Sequence, residues 1–386
     1  MQKLYGYRRP DGQVGVRNHL LIVPASVCAT HVAQSIADKV NGAVSIPNQQ
    51  GCCELGPDFD VTHRVLVGFG KNPNVGAALV IGLGCEGIST RAVADEIAES
   101  GKRVEYLVIQ ENEGTINTES KGVRVAREMA SELSLIQKEE IDISEIMMAV
   151  ECGGSDTTSG LAANPSVGYV SDKLIDSGGT VILSETTEFI GAEHLLAERA
   201  VTPEVADDII RIVKGIEDKA KGIGVDLRDG QPTPGNIQGG LTTIEEKSLG
   251  CIYKGGSRPI QGVKDYGEIV DGKGLYIMDT PGQDIESITG MLAGGASVVI
   301  FTTGRGTPTG SPIAPVIKVI GNGDNYLKMK DNIDINAGHI MDGTETVPEV
   351  GERIFEEMLE VINGKYTKAE SLNHREFGIY KLSSTF

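Results

Sequence analysis

One repeated pattern constrains the fold of this chain more than any other. A short apolar run is followed by a cluster of small polar residues and then by a helical stretch. Residues 20–24, 43–46, 77–82 and 104–110 read as strands, with helices predicted over about 28–40, up to about 100, and over about 122–135. A second series of strands is predicted at 146–150, 179–183, 274–278, 297–301 and 316–320, with a long helix over about 203–222. Strand–helix alternation at this spacing argues for parallel strands covered on both faces. The expected fold class is therefore α/β, with two α/β domains and mainly parallel sheets. The charged stretch 138–145 reads as the boundary, giving an N-terminal domain over 1–137 and a C-terminal domain over 138–386. The stretch 226–240, rich in Gly, Pro and polar residues, reads as an internal loop.

The strand ends carry the functional signal. They read GLGCEG at 82–87, ECGGSDTTSG at 151–160, SETTE at 184–188, DTPG at 279–282 and TTGRGTPTG at 302–310. Ligands of open parallel sheets bind beyond the carboxyl ends of the strands, and small polar residues there leave room and supply hydroxyl and N–H groups. The 50 glycines show no fixed period, which excludes a collagen-like chain and fits many tight turns.

Charge and composition exclude several partners. With 35 Lys and Arg against 54 Asp and Glu, the net charge of -19 repels nucleic acid and anionic lipid. Trp is absent and aromatic residues make up 4%, too few for a base-stacking platform. No apolar run reaches the ~18 residues of a membrane span, and the start lacks a signal peptide's apolar centre. A cytoplasmic location is expected. Its six cysteines are then read as ligands, catalysts or small core residues before disulfides. An acidic substrate would require positive charge gathered locally by a metal, Arg or Lys.

Cys52 and Cys53 lie in NQQGCCELG, Cys85 in GLGCEG and Cys152 in ECGGSD, each beside glycine and polar residues. Thiolates from three such loops can hold iron, either as one ion or at three corners of an iron–sulfur cluster. No C-x-x-C pair accompanies them, and small packing residues are the plainer reading. Cys28 and Cys251 read as packing residues. The acids Glu86, Glu151, Asp156, Glu185, Glu188, Glu245, Glu246 and Asp279 sit at strand ends or a helix start, as bases, as ligands for hard metal ions or as helix caps. Arg305, between two glycines, is placed to grip a carboxylate. Lys247 follows two Thr and two Glu, and Arg17-Asn18-His19 precedes the first strand. The histidines show no metal-ligand spacing. GFGKNPNVG at 68–76 is not a phosphate-binding loop, because its lysine is misplaced.

Several segments taken together resemble the altronate/galactarate dehydratase family through nearly the whole chain. They are GYRRPDGQVGVRN at 6–18, GCCELG at 51–56, NPNVGAALVIGLGCE at 72–86, ECGGSDTTSGLAANP at 151–165, GGLTTIEEKSLG at 239–250, TGRGTPTGSPIAPVIKV at 303–319 and HREF at 374–377. The resemblance implies dehydration of a sugar acid such as altronate or galactarate to a 2-keto-3-deoxy acid, activated by ferrous iron. It also implies a separate small subunit, because family dehydratases carry a small N-terminal domain before the segment where this chain starts. The split enzymes of the family, including sulfolactate sulfo-lyases, have that arrangement. Where the family often has His before Gly-Cys, Asn48 occupies the region. Retention of Cys52, Cys85 and the GRGTP segment is read as favouring hydroxide over sulfite as leaving group.

The expected site then has Cys52, Cys85 and Cys152 on iron, with Lys247, Glu86, Glu151 and Glu185 as candidates for the proton-transfer roles. Arg305, Ser155, Asp156, Thr242, Thr243 and Thr307 are expected to bind substrate. The chain is expected to form an oligomer and to bind neither nucleic acid nor membrane. Carbon–sulfur cleavage, and simple binding of iron or a sugar acid without turnover, are the alternative readings.

Overall fold

A computed structural model describes residues 3–383. The chain opens with β1 (Leu4–Arg8) and β2 (Val14–Gly15), then forms β3 (His19–Pro24), β4 (Ala43–Ser45), β5 (Val75–Gly82) and β6 (Arg103–Val108). The last four make a parallel sheet in the order β4-β3-β5-β6. Next come β7 (Glu139–Ile141), β8 (Met147–Cys152), β9 (Thr180–Leu183), β10 (Ile260–Lys264), β11 (Gly274–Met278), β12 (Val298–Thr303), β13 (Val316–Ile320) and β14 (Ile335–Asn336). Strands β8 to β14 build a seven-stranded, wholly parallel sheet in the order β10-β11-β9-β8-β12-β13-β14. Strands β8, β12 and β13 are almost wholly buried, as expected of parallel strands covered on both faces. The α/β class and the mainly parallel sheets read from the sequence are therefore present.

The chain's start is stitched to its later parts. β1 pairs antiparallel with both β2 and β7, forming a third, small sheet. Arg17, read from sequence as a possible anion holder, is structural. It is nearly buried, makes a two-pronged pair with Glu370 at 2.6 and 2.8 Å, and donates to the carbonyls of Val16, Val361 and Lys365.

The helix Gly56–Lys71 escaped the sequence reading, and Gly68 shows why. A glycine inside a helix lowers intrinsic propensity, yet here it serves packing. A Cβ at Gly68 would lie 2.5 Å from the Ala293 carbonyl oxygen, so its absence lets this helix meet the helix Asp284–Ala293 closely. One apolar core thereby joins Val65, Leu66 and Phe69 to Ile288, Met291 and Leu292. Asn72 reinforces the junction by donating to the carbonyls of Leu292 and Ala296, both at 2.8 Å.

Candidate active site

The helix Ile244–Ile252 begins at Thr243, whose hydroxyl accepts from the Glu246 N–H at 3.1 Å. Thr242 donates through its N–H and its hydroxyl to Glu246 Oε2. Both threonines are exposed and act as caps. Further along, Lys247, Cys251 and Lys254 follow one another at helical spacing, so they share a face. That face lies against the carboxyl ends of β8 and β9.

There the side chains form one buried network. Lys254 donates to Glu185 Oε2 at 2.7 Å and to Cys152 Sγ at 3.0 Å, and its Nζ is 3.7 Å from Glu188. The Cys152 thiol donates to Glu188 Oε2 at 2.7 Å, with Cys251 Sγ 3.4 Å away. Lys247 pairs with the other oxygen of Glu188 at 2.8 Å and donates to Gln231 at 3.0 Å. The Cys152 N–H donates to Glu185 Oε2 at 2.9 Å, and the Glu185 N–H to Thr280 Oγ1 at 2.8 Å. Glu185 has φ +71° and ψ 64°. A non-glycine residue in this region costs about 1–3 kcal/mol and persists only where its surroundings enforce it. The enforcing contacts are those to Lys254, Cys152 and Thr280.

Burial and neighbours set the charges. Burial alone would raise Glu188, but Lys247 and Lys254 outweigh it and hold the carboxyl at about 2. Burial likewise opposes the charge on Lys247, and Glu188 overcomes it, leaving a permanent cation. For Lys254, burial is overcome by Cys152, Glu185 and Glu188 together. Burial pushes the Cys152 thiol well up, so at neutral pH Glu185 and Glu188 balance the two lysines, Lys247 and Lys254. Burial, with Glu185 and Asp284 nearby, also lifts Glu151 well above the usual carboxylate range. Glu151 Oε2 accepts from Ser287 at 2.7 Å and from Ser184 at 3.2 Å. The remaining oxygens, Glu151 Oε1 and Glu185 Oε1, have no other partner among the described residues. A proton shared between the two glutamates satisfies both.

Asp284, at the start of its helix, closes this chain of acids and is only partly buried. Gly153 must be glycine beside it, since a Cβ there would sit 2.2 Å from Asp284 Oδ2. Burial first, then the charges of Glu185 and Glu188, push the Asp284 carboxyl up to about 7. Nearby, Ser155, Asp156, Asn164, Lys247, Cys251 and Tyr253 line a cavity of about 220 Å³.

The structure sorts the residues singled out in the sequence. It brings Glu151, Cys152, Glu185 and Lys247 into one network, and Ser155 and Asp156 to the cavity wall. Asp156 also caps the following turn, accepting from Ser159 N–H and Thr158 Oγ1. Lys247 is held as a cation by Glu188, so its amine has no free lone pair to take a proton. Glu86 lies outside the network, on the four-stranded sheet's side. It accepts from Gly84 N–H and Thr90 Oγ1, which hold a turn. Arg305 is exposed and donates to the Gly235 carbonyl at 2.8 Å, tying down the helix Pro234–Gln238. Thr307 pairs with Thr309 at 2.8 Å. Lys254 and Asp284 were missed in the sequence. The Lys-x3-Cys-x2-Lys helical spacing is a usable signal for Lys254, but nothing local marks Asp284.

The cysteines divide into two groups. Cys52 and Cys85 follow strands of the four-stranded sheet, whereas Cys152 ends β8 of the other sheet, and no group of described residues close enough to share one ion joins Cys152 to either of them. Among the described residues, Cys152, Glu188 and Cys251 are close enough to share an ion, but two lysine ammoniums already neutralise that position. This trio does not fit iron.

Parallel strands that present buried, paired lysines and a carboxyl raised by burial at their carboxyl edge define an α/β protein with a polar site at the strand ends. The chain belongs to the D-galactarate/altronate dehydratase family. Residues 143–385 match the model for the C-terminal part of D-galactarate/altronate dehydratase, and residues 6–134 match the D-galactarate dehydratase/altronate hydrolase second domain. The chain is 40% identical to the (2R)-sulfolactate sulfo-lyase subunit beta of Chromohalobacter salexigens, covering 98% of this chain and 97% of that one. It is 34% identical to the altronate dehydratase of Bacillus subtilis over 98% of this chain and 78% of the relative. It is 35% identical to the galactarate dehydratase (L-threo-forming) of Escherichia coli over 93% of this chain and 72% of the relative. These named relatives are lyases. No helix among the described residues is long and apolar enough to cross a membrane.

Proposed function

We propose that this chain is the large chain of a lyase that dehydrates a sugar acid such as altronate or galactarate to a 2-keto-3-deoxy acid. The observation that carries the reading is a carboxyl held near neutrality beside two buried, permanent cations. The Lys247 ammonium, at the cavity wall, binds the substrate carboxylate and draws electron density from the adjacent carbon. The Glu185–Glu151 pair, with its shared proton and raised affinity, takes the α-proton. Hydroxide is a poor leaving group and must depart with a proton. Asp284, protonated about half the time near pH 7, supplies it. The enol released then takes a proton at the β-carbon to become the keto acid.

Loss of sulfite from sulfolactate is the second reading. The 40% identity across 97% of a sulfo-lyase subunit favours it. Sulfite leaves without protonation, so that reaction gives Asp284 no task. The name of that relative also supports a separate small subunit as partner. Purified chain plus a candidate small subunit, offered altronate, galactarate and sulfolactate, tests both readings. Keto-acid formation without sulfite supports dehydration, and sulfite release with pyruvate supports the second reading.

A further inference from the structure

The buried network uses two of the six cysteines. The other four, Cys28, Cys52, Cys53 and Cys85, are free thiols, three exposed and Cys52 half-buried. They come from the loops after β3, β4 and β5, three adjacent parallel strands. The loops are locked together. The Val27 N–H donates to the Gln50 carbonyl at 2.9 Å, and the Ala25 N–H to the Ile81 carbonyl at 2.8 Å. Thr30 Oγ1 donates to the Asn48 carbonyl at 2.7 Å. Asn48 is fully buried and donates from its side chain to the Pro24 carbonyl at 3.0 Å, clamping the two loops together.

Two features within this edge have no structural explanation of their own. Cys53 has φ +56°, an uncommon conformation for a residue with a side chain, and its sulfur is 3.7 Å from that of Cys52. Ser26, fully buried two residues before Cys28, has a hydroxyl with no hydrogen-bond partner among the described residues. Cys53, Cys28 and Cys85 are all electrostatic neighbours of Cys52, so the thiols of the three loops lie near one another.

We infer that Cys28, Cys52 and Cys85 are three cysteine ligands of an iron–sulfur cluster at the carboxyl edge of the four-stranded sheet. A single tetrahedral ion with metal–sulfur bonds of about 2.3 Å would hold its thiolates about 3.8 Å apart. None of the groups able to share one ion among the described residues draws on these cysteines. A cluster places each thiolate on a different iron and so accepts wider spacing. A fourth iron would lack a cysteine and remain open to an oxygen ligand. The inference stands on these loops alone and does not depend on which substrate is cleaved.

The test is anaerobic reconstitution of the full chain with ferrous iron and sulfide. The readouts are iron and sulfide content, the visible sulfur-to-iron charge-transfer band and electron paramagnetic resonance after reduction. About four irons per chain are expected. Cys28→Ser, Cys52→Ser and Cys85→Ser should each lose most of the iron and the visible band, with circular dichroism unchanged. Cys152→Ala and Cys251→Ala should keep both. If the wild-type chain takes up no sulfide, or if all three serine variants retain the band, the inference is wrong. Loss of iron confined to the Cys152 or Cys251 variants would overturn it equally.

Discussion

Replacing Lys254 with Met keeps the length of the side chain and removes the charge at the centre of the buried network. Lys254 donates to Glu185 at 2.7 Å and to Cys152 at 3.0 Å, with no exposed surface on either Lys254 or Glu185. Glu188 keeps Lys247 at 2.8 Å, so it remains paired. Glu185 Oε2 keeps only the Cys152 N–H and becomes an unbalanced buried charge. Removing one partner of such a pair costs about 3–5 kcal/mol. The loss should depend on pH with a definite sign. Without the lysine, the folded-state affinity of Glu185 for a proton rises further above its unfolded value. A group in that state costs stability where it must ionise, so the penalty is largest at high pH and shrinks as pH falls and Glu185 protonates. Urea unfolding followed by circular dichroism at pH 8 and pH 5.5 measures this. Lys254→Met combined with Glu185→Gln should recover most of the loss at pH 8. A penalty under about 1 kcal/mol, equal at both pH values, would refute a buried charge balance at this site.

Three further outcomes follow from the same geometry. Asp284→Asn should lower kcat by about 10²–10⁴-fold, and wild-type activity should fall as pH rises through about 7, where the carboxyl loses its proton; a flat profile removes Asp284 from the chemistry. Arg17→Ala should destabilise the chain by about 3–5 kcal/mol, because Glu370 would lose both of its bonds to Arg17; thermal melts decide it. Arg305→Lys keeps the charge but loses the fixed fork, and loosening the bond to Gly235 should raise KM up to about tenfold with an unchanged melting temperature; a large thermal shift would mark Arg305 as a core tether instead.

The sheets were legible in the sequence because parallel strands buried on both faces are continuous apolar runs. The runs at 77–82 and 316–320 match β5 and β13 closely. The helix Gly56–Lys71 was hidden because its glycines answer to a neighbouring helix, which no local pattern records. At the site, the small polar strand ends singled out Glu151, Cys152 and Glu185, which share the buried network, whereas Lys247 stood out in the TTIEEKSLG segment at a helix start. Separating Cys152 from Cys52 and Cys85 required knowing which sheet each strand joins. Arg305 stood out because glycines flank it, and one of its donors, Nη1, is on the Gly235 carbonyl, a contact from a distant loop that no local pattern records. Asp284 was invisible because its proton affinity comes from Glu185 and Glu188, remote in sequence.

The central claim is that cleavage starts with removal of the proton beside the carboxylate and ends with loss of a β-substituent. Turnover in deuterated water, with the full chain and its small subunit, tests it most directly, using an acid whose C2 hydrogen is either normal or replaced by deuterium. The account predicts a primary isotope effect from C2, loss of that hydrogen to solvent and one solvent deuterium at C3 of the keto acid. Retention of the original C2 hydrogen in the product would contradict it.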